Sequence, residues 1–435
     1  MRKTACVCSL LLIGLAACGD VSKLPAGAEV GPRPTLVEPN PSVIPTVNVA
    51  PAVGWPSGMT PTPHAGARVT ALASGLAHPR WLLALPNGDV LVAESAAPER
   101  PEDGKGFKAQ VMKTFMRRAG AAIPSANRIT LLRDADNDGQ AEARHVLVQG
   151  LNSPFGMALV GDRLYVANTD AIVSYPYRPG QTTISDAPTT LTSLPAGARN
   201  HHWTKNIIAS ADGTRLYATV GSNSNVAEHG MAAENGRAAI WEVDTRSGNK
   251  RLFATGLRNP NGMAWGRTDG KLWTVVNERD ELGSDLVPDY LTSVSDGGFY
   301  GWPYSYYGRH VDQRVSPPQP ALVAKAIVPD YALGAHVAAL GLVSSTGRGL
   351  PQPFAEGMFV GMHGSWNRRP SSGYKVVFVP FRSGKPEGEP IEVLSGFLSP
   401  KGEAYGRPVG VAIDQRGALL VADDVGNTVW RVSWQ

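Results

Sequence analysis

Cysteine is almost missing from this chain. There are three in 435 residues, Cys6, Cys8 and Cys18, all at the N-terminal end. That excludes a disulfide framework and a cysteine-ligated metal site in the body of the protein. Long apolar runs are also scarce. The longest, Val7 to Leu15, is too short to span a bilayer, and no later stretch reaches transmembrane length. The formal net charge is only +4, and no basic cluster interleaved with aromatics occurs, which argues against a nucleic-acid partner. Extended amphipathic helical periodicity is lacking as well. Glycine and proline are abundant instead, with 48 and 35 residues, which favours many short strands joined by turns.

The N-terminus carries export signals. Arg2 and Lys3 precede the apolar run, which ends in Leu15-Ala16-Ala17-Cys18. Small residues before a cysteine resemble a bacterial lipobox, in which cleavage leaves Cys18 as an acylated first residue. An ordinary signal peptide with a chance cysteine is the alternative. The resemblance implies a cell-envelope, periplasmic lipoprotein that touches a membrane through its anchor alone, and several acyl chains would hold it firmly. From Gly19 to about His64 the chain is proline-rich and reads as an extended tether. Val47, Val49, Val53 and Trp55 would let part of it lie along a domain surface. The expected organisation is a lipoprotein signal peptide over 1–17, a tether over 18–64 and a domain over 65–435.

Beyond the tether one pattern recurs six times: a loop, an apolar strand, a polar turn and a second apolar strand. The copies are Gly75–Ser95, Gly150–Asp170, His201–Ser222, Gly256–Glu278, His336–Gly364 and Gly406–Gly426. Five carry a turn dipeptide (NG, GD, DG, DG or RG) of the kind tight hairpins need; the fifth copy has a longer connection. Isolated hairpins cannot bury both faces, so repetition predicts a closed ring of small sheets. The expectation is an all-β, six-bladed β-propeller. RITLLRD, AIVSYPY, AAIWEVD, YKVVFVPF and TVWRVSW are candidate outer strands, and residues 68–73 are expected to close the ring beside the last blade. The copies stand further apart than four strands require, so the excess must be loops, which in a compact domain are usually functional. In the insertion after Ser95, a short helix is expected with Val111, Phe115 and Met112 on one face.

Loops entering the inner strands of a propeller converge on one face. The repeat alignment puts Arg80, Asn152, His202, Arg258, Asn259, His336 and Arg407 there. Arginines and histidines at one mouth suit an anionic cofactor or substrate, with a solvated rim as the bland alternative. NERDELGSD, Asn277 to Asp285, is rich in oxygen ligands and suits calcium, or is a charged surface loop. DADNDGQAE, Asp134 to Glu142, also looks like a calcium loop. It departs from the EF-hand pattern because His145 stands where the bidentate glutamate belongs, so a plain turn remains an alternative.

HWTKN followed by ADG, GLRNP, NERDELGSDLVPDY, GGFYGWP, HGSWNR and GRPVG together resemble the motifs of the soluble quinoprotein sugar dehydrogenases, in their sorbosone-dehydrogenase-like branch. The resemblance runs from about Arg68 to the C-terminus. It implies a six-bladed propeller that binds pyrroloquinoline quinone (PQQ) and calcium and oxidises an aldose or a sorbosone-like sugar. His202 falls on the family's general base, and alternation along an extended strand lets only one of His201 and His202 face the channel. Arg258 matches the arginine over the reacting quinone carbonyl, Asn259 its neighbour on the same edge, and Arg407 a carboxylate-binding arginine, with Arg80 and Arg368 as further cofactor contacts. Arg279, Asp280 and Glu281 fall on the cofactor-side calcium loop, with backbone carbonyls as ligands. Trp302, Tyr304 and Trp366 are candidate walls. The family's glucose dehydrogenases orient the histidine with an aspartate. Here that position is Ser222 or a neighbour, leaving a backbone carbonyl or Asn223 for the task. Their cofactor lysine has no obvious counterpart, with Arg368, Arg369 or Lys375 as candidates. A calcium-dependent propeller lactonase and a non-catalytic carbohydrate-binding propeller are the rival readings. The electron acceptor is not specified, since no CxxCH haem motif is present.

Overall fold

A computed structural model describes residues 19–41, 46–99, 114–347 and 349–434. The expected signal peptide, Cys18, Val111 and Met112 lie outside the described residues. Among those described, no helix is long and apolar enough to cross a membrane.

The strands form six blades, each with a core of four antiparallel strands; five of these cores run in chain order from an inner strand outward, and three blades carry further short edge strands. The inner strands are Pro79–Ala84, Met157–Val160, Ile207–Ala209, Asn259–Trp265, Ala339–Ser344 and Pro408–Ile413. Each opens one of the six sequence copies, and the second strand of the copy pairs with it. The expected hairpin turns are in place, with Gly88, Gly213, Gly270 and Gly417 at positive φ, as only glycine does at little cost. RITLLRD, AIVSYPY, AAIWEVD, YKVVFVPF and TVWRVSW supply third strands. Ala67–Ala73 pairs antiparallel with Thr428–Trp434, with Val69 opposite Val432, so the N-terminal strand of the propeller completes the last blade. The six-bladed propeller read from the repeats is therefore the fold.

The hydrophobic core follows from this ring. It consists of layers between neighbouring blades. Leu91, Leu131, Phe155 and Val166 fill the layer between blades 1 and 2, while Phe359, Phe378, Val421 and Trp430 fill that between blades 5 and 6. Strand alternation makes this possible, because both faces of each blade are covered. At the centre the inner strands approach so closely that small residues are required. A Cβ on Gly341 would lie 2.2 Å from the Val409 carbonyl oxygen.

Antiparallel order also sorts the loops. Turns between first and second and between third and fourth strands lie on one face. Connections into inner strands, and loops between second and third strands, lie on the other. Every candidate residue around the inner-strand entries belongs to that second face.

The proline-rich segment lies along this face and down the outside of the ring. Val30–Gly31 adds to the fourth strand of blade 4, and Thr62–Pro63 adds to that of blade 5. In between, Asn48 donates to the Trp366 carbonyl at 2.7 Å, and Trp55 donates to Asp423 at 2.7 Å. In the insertion after Ser95, residues 114–118 are helical and include the half-buried Phe115.

Candidate active site

The loop entering blade 3 carries His201 and His202, and the ring closes around the second of them. His201 is exposed, whereas His202 packs inward with its ring 4.9 Å from that of His201. His202 Nδ1 lies 2.8 Å from the Ser222 carbonyl oxygen and 3.1 Å from Ser222 Oγ. A carbonyl only accepts, so Nδ1 carries the proton and Nε2 keeps a free lone pair. Ser222 Oγ donates to the Ser224 carbonyl at 2.7 Å and can therefore also accept from Nδ1. The backbone carbonyl of Ser222 thus orients the ring. Asn223 does not; its side chain serves the His201 amide and the Ala233 carbonyl. Loss of hydration holds the His202 pKa well below the ordinary histidine value, and the Arg258 cation and His201 push it further down.

Ser222 also joins this histidine to blade 4. Its amide donates to the Arg258 carbonyl at 2.8 Å. Gly221, beside it, has no room for a side chain; a Cβ would meet Asn259 Oδ1 at 2.3 Å and His202 Cβ at 2.6 Å. His202, Arg258 and Asn259 are therefore packed against one dipeptide.

Arg258 is 3 % exposed and fully engaged. Nη1 donates to the Glu278 carbonyl at 2.6 Å, and Nη2 donates to Asn225 Oδ1 at 3.1 Å and Asp280 Oδ2 at 3.0 Å. Asn225 is the knot of this network. Its Oδ1 also accepts from the Asp280 amide, its Nδ2 donates to the Asp280 carbonyl, and its own carbonyl accepts from Trp302. Burial opposes the Asp280 charge, but Arg258, His336 and Asn367 more than offset it and keep the carboxylate ionised. His336 Nδ1 is its second basic neighbour, at 3.5 Å. Burial lowers the His336 pKa, yet the Asp280 hydrogen bond and charge raise it overall.

A second cluster stands on the side of blades 5, 6 and 1. Asp424, 2 % exposed, accepts from Arg80 Nη1 and from His363 Nε2 at 2.9 Å, with His78 Nε2 at 3.5 Å. Burial works against its charge, but these groups hold it ionised. Burial, with help from Arg407 and Arg80, keeps His363 neutral against the pull of Asp424. The Arg80 guanidinium lies over Phe155 and Trp203, and that of Arg407 over Tyr374, with Arg407 Nη2 donating to the Ala50 carbonyl at 3.3 Å.

The residues 125–289 and 323–435 match the TrAA12-like family. The chain belongs to the TrAA12-like family. Solved structures of similar fold include a Trichoderma reesei carbohydrate-active enzyme of family AA12, with a TM-score of 0.70 and 19 % identity over 89 % of this chain and 99 % of that one. The PQQ domain of pyranose dehydrogenase from Coprinopsis cinerea aligns with a TM-score of 0.66 and 22 % identity, over 89 % of this chain and all of that domain. The full PQQ-dependent pyranose dehydrogenase of Coprinopsis cinerea is 24 % identical over 361 residues, which cover 72 % of this chain and 44 % of the relative. This chain therefore spans less than half the length of that enzyme. The motif resemblance to soluble PQQ sugar dehydrogenases agrees with these neighbours.

In this TrAA12-like chain some expected contacts are committed elsewhere. Arg368 donates to the Ser284 carbonyl at 2.8 Å, Glu29 at 2.7 Å and Ser22 at 3.0 Å, so it clamps the N-terminal segment to the 277–285 loop. Arg369 donates to the Val47 carbonyl, and Lys375 pairs with Glu392. From the HGSWNR stretch, His363 reaches Asp424 and Asn367 reaches Asp280. Asn152 sits at the rim, bound to Asp170. Arg279 is 1 % exposed and faces Asp312 at 3.0 Å, and Glu281 is exposed and pairs with Arg314 at 2.6 Å. Trp302 is buried against Asn225, Tyr304 is half-buried, and Trp366 is 37 % exposed. Sequence reasoning passed over Asn225, Asp424, His78, His363 and Lys205. Lys205 was in view within HWTKN; its buried Nζ donates to the carbonyls of His202 and Trp203, both at 3.2 Å, and so fixes the turn that carries the histidine.

Proposed function

We propose that this chain is a PQQ-dependent sugar dehydrogenase with His202 as general base. The observation that carries the reading is the single residue Ser222, which orients the His202 ring with its carbonyl and holds the Arg258 backbone with its amide. The names of the relatives support the redox class. The site chemistry supports the cofactor. Asn259 Oδ1, Arg80 Nε and Arg407 Nε are buried and have no partner in the protein. Such groups are costly unless a ligand meets them, and a flat tricarboxylate would supply acceptors to the two guanidinium groups. Asn259, Arg407 and Arg80 would hold it, and Arg258, whose nitrogens already donate within the protein, would act through its positive charge. When bound, PQQ supplies a two-electron acceptor for the hydride of the sugar's oxidised carbon. His202 Nε2 takes the hydroxyl proton of that carbon, and Arg258 places positive charge where negative charge would grow.

Calcium at Arg279, Asp280 and Glu281 fits in part. The Asp280 carbonyl accepts from Asn225 and its carboxylate is taken by Arg258 and Asn367, whereas among the described residues no group donates to the Arg279 or Glu281 carbonyl. No catalytic step is derived through that ion. The lactonase reading needs free acidic side chains in the channel, and the carboxylates at the centre of the two clusters, Asp280 and Asp424, are capped by Arg258 and Arg80. The direct test is reconstitution. Protein mixed with PQQ should reduce an artificial dye when given aldoses or pyranoses. Lactone hydrolysis without PQQ, and no dye reduction, would overturn the reading.

The same proposal puts the protein in the cell envelope, anchored through Cys18. Its support is the lipobox-like Leu15-Ala16-Ala17-Cys18. Cys18→Ser should move the protein from the membrane fraction to the soluble periplasmic fraction; an unchanged distribution would refute the anchor.

A further inference from the structure

The Asp134–Glu142 segment is a motif that the proposed redox chemistry leaves unused. It joins the third and fourth strands of blade 1, on the face opposite the active site. Asp134, Asp136, Asp138 and Glu142 each offer a carboxylate oxygen, and these four oxygens lie within 4.8 Å of one another. Ligands at about 2.3–2.6 Å around one calcium ion are separated by no more than about 5.2 Å, so the spacing fits a shared ion. Among the described residues two guanidinium groups stand near, but Arg431 is paired with Asp414 and only Arg416 meets the four carboxylates. Arg416, in the first hairpin turn of blade 6, donates to Asp134 Oδ2 and to the Asn137 carbonyl. Four carboxylates against one guanidinium leave a large negative excess. Asp134 adds an independent sign. Its side chain is only 8 % exposed, yet Oδ1 has no hydrogen-bond partner. A buried carboxylate oxygen without a donor is costly, and a metal ion would satisfy it.

We propose that residues 134–142 bind a calcium ion that pins the seam of the propeller. The spacing Asp-x-Asp-x-Asp-Gly matches the start of an EF-hand loop, but here a β-hairpin presents it and Glu142 closes it four residues after Asp138. Gly139 has φ 94° and lies against Arg431 of the ring-closing strand pair, so the loop is built where the first and last blades meet. Calcium suits this loop better than magnesium, because it tolerates irregular shells of six to eight oxygens. The ion stabilises closure and takes no part in redox chemistry, so the proposal stands apart from the function assigned above.

Full-length protein stripped with a chelator and kept free of PQQ tests this. Adding calcium should raise the melting temperature in a concentration-dependent way, while equimolar magnesium should not. In calorimetric titration, Asp136→Asn/Asp138→Asn should bind one calcium fewer per chain and lose that rise. Should that double variant fail to fold, Glu142→Gln, a change at an exposed residue, should weaken the same binding event at least tenfold. Unchanged calcium stoichiometry and affinity in these variants, or an equal rise with magnesium, would overturn the assignment.

Discussion

His202→Ala is expected to lower dye-linked sugar oxidation about 10²- to 10⁴-fold, the usual contribution of a positioned base, while PQQ uptake persists. The cofactor contacts assigned to Asn259, Arg407 and Arg80 do not pass through the imidazole. His201→Ala, one residue away, should keep most of the activity, because His201 is exposed and the Ser222 carbonyl orients the His202 ring. The pH profile sharpens the contrast. Burial and Arg258 depress the His202 pKa. The neutral base therefore predominates at and above the ordinary histidine pKa of about 6.5. Protonation removes the base, so kcat/KM should stay level above that pH and fall only below it. Steady-state rates across the acid range, with PQQ saturating, check this. An acid limb centred above the ordinary value, or full turnover in His202→Ala, would end the assignment.

The ring was legible in the sequence because it is written six times. Each copy repeats an apolar strand, a turn dipeptide and a second strand, and a closed ring is the only arrangement that buries both faces of every copy. Ala67–Ala73 was legible as the closing strand because it precedes the first copy and has no partner within it. Individual side chains were less legible. Alignment of copies finds residues that enter inner strands, such as His202 and Arg258. It cannot find Asn225, His363 or Asp424, which sit on loops between second and third strands, where lengths differ from blade to blade. Residue type misleads there too. Arg368 looked like a cofactor cation, but Glu29, more than three hundred residues earlier, captures it. That contact depends on how the N-terminal segment wraps the ring, and no local pattern records it. His363 was passed over because neighbouring arginines drew attention, although the strand end that carries it points inward while theirs turns to the N-terminal segment.

Arg258→Ala should be the most damaging single change at the site, because two deficits coincide. The first is structural. Asp280 would keep only Asn367 and His336 as side-chain partners. Removing one member of a buried ion pair costs about 3–5 kcal/mol when the remaining charge stays buried, and the 22 % exposure of the Asp280 side chain puts this case toward the low end. The second is functional. Loss of one preorganised cation at developing charge typically costs about 10²–10³ in rate, and cofactor affinity should fall with it. Arg258→Lys should recover little, since one ammonium cannot meet the Glu278 carbonyl, Asn225 and Asp280 together as the guanidinium does. The pH profile of the residual activity separates this account from general damage. Removing the arginine charge takes away one of the influences that disfavour imidazolium, so the His202 pKa must rise. The acid limb should therefore move to higher pH in Arg258→Ala, and less so in Arg258→Lys, which keeps a positive charge nearby. Equal limbs in wild type and Arg258→Ala would show that the guanidinium and the imidazole do not share one field, and the site as assembled around Ser222 would not stand.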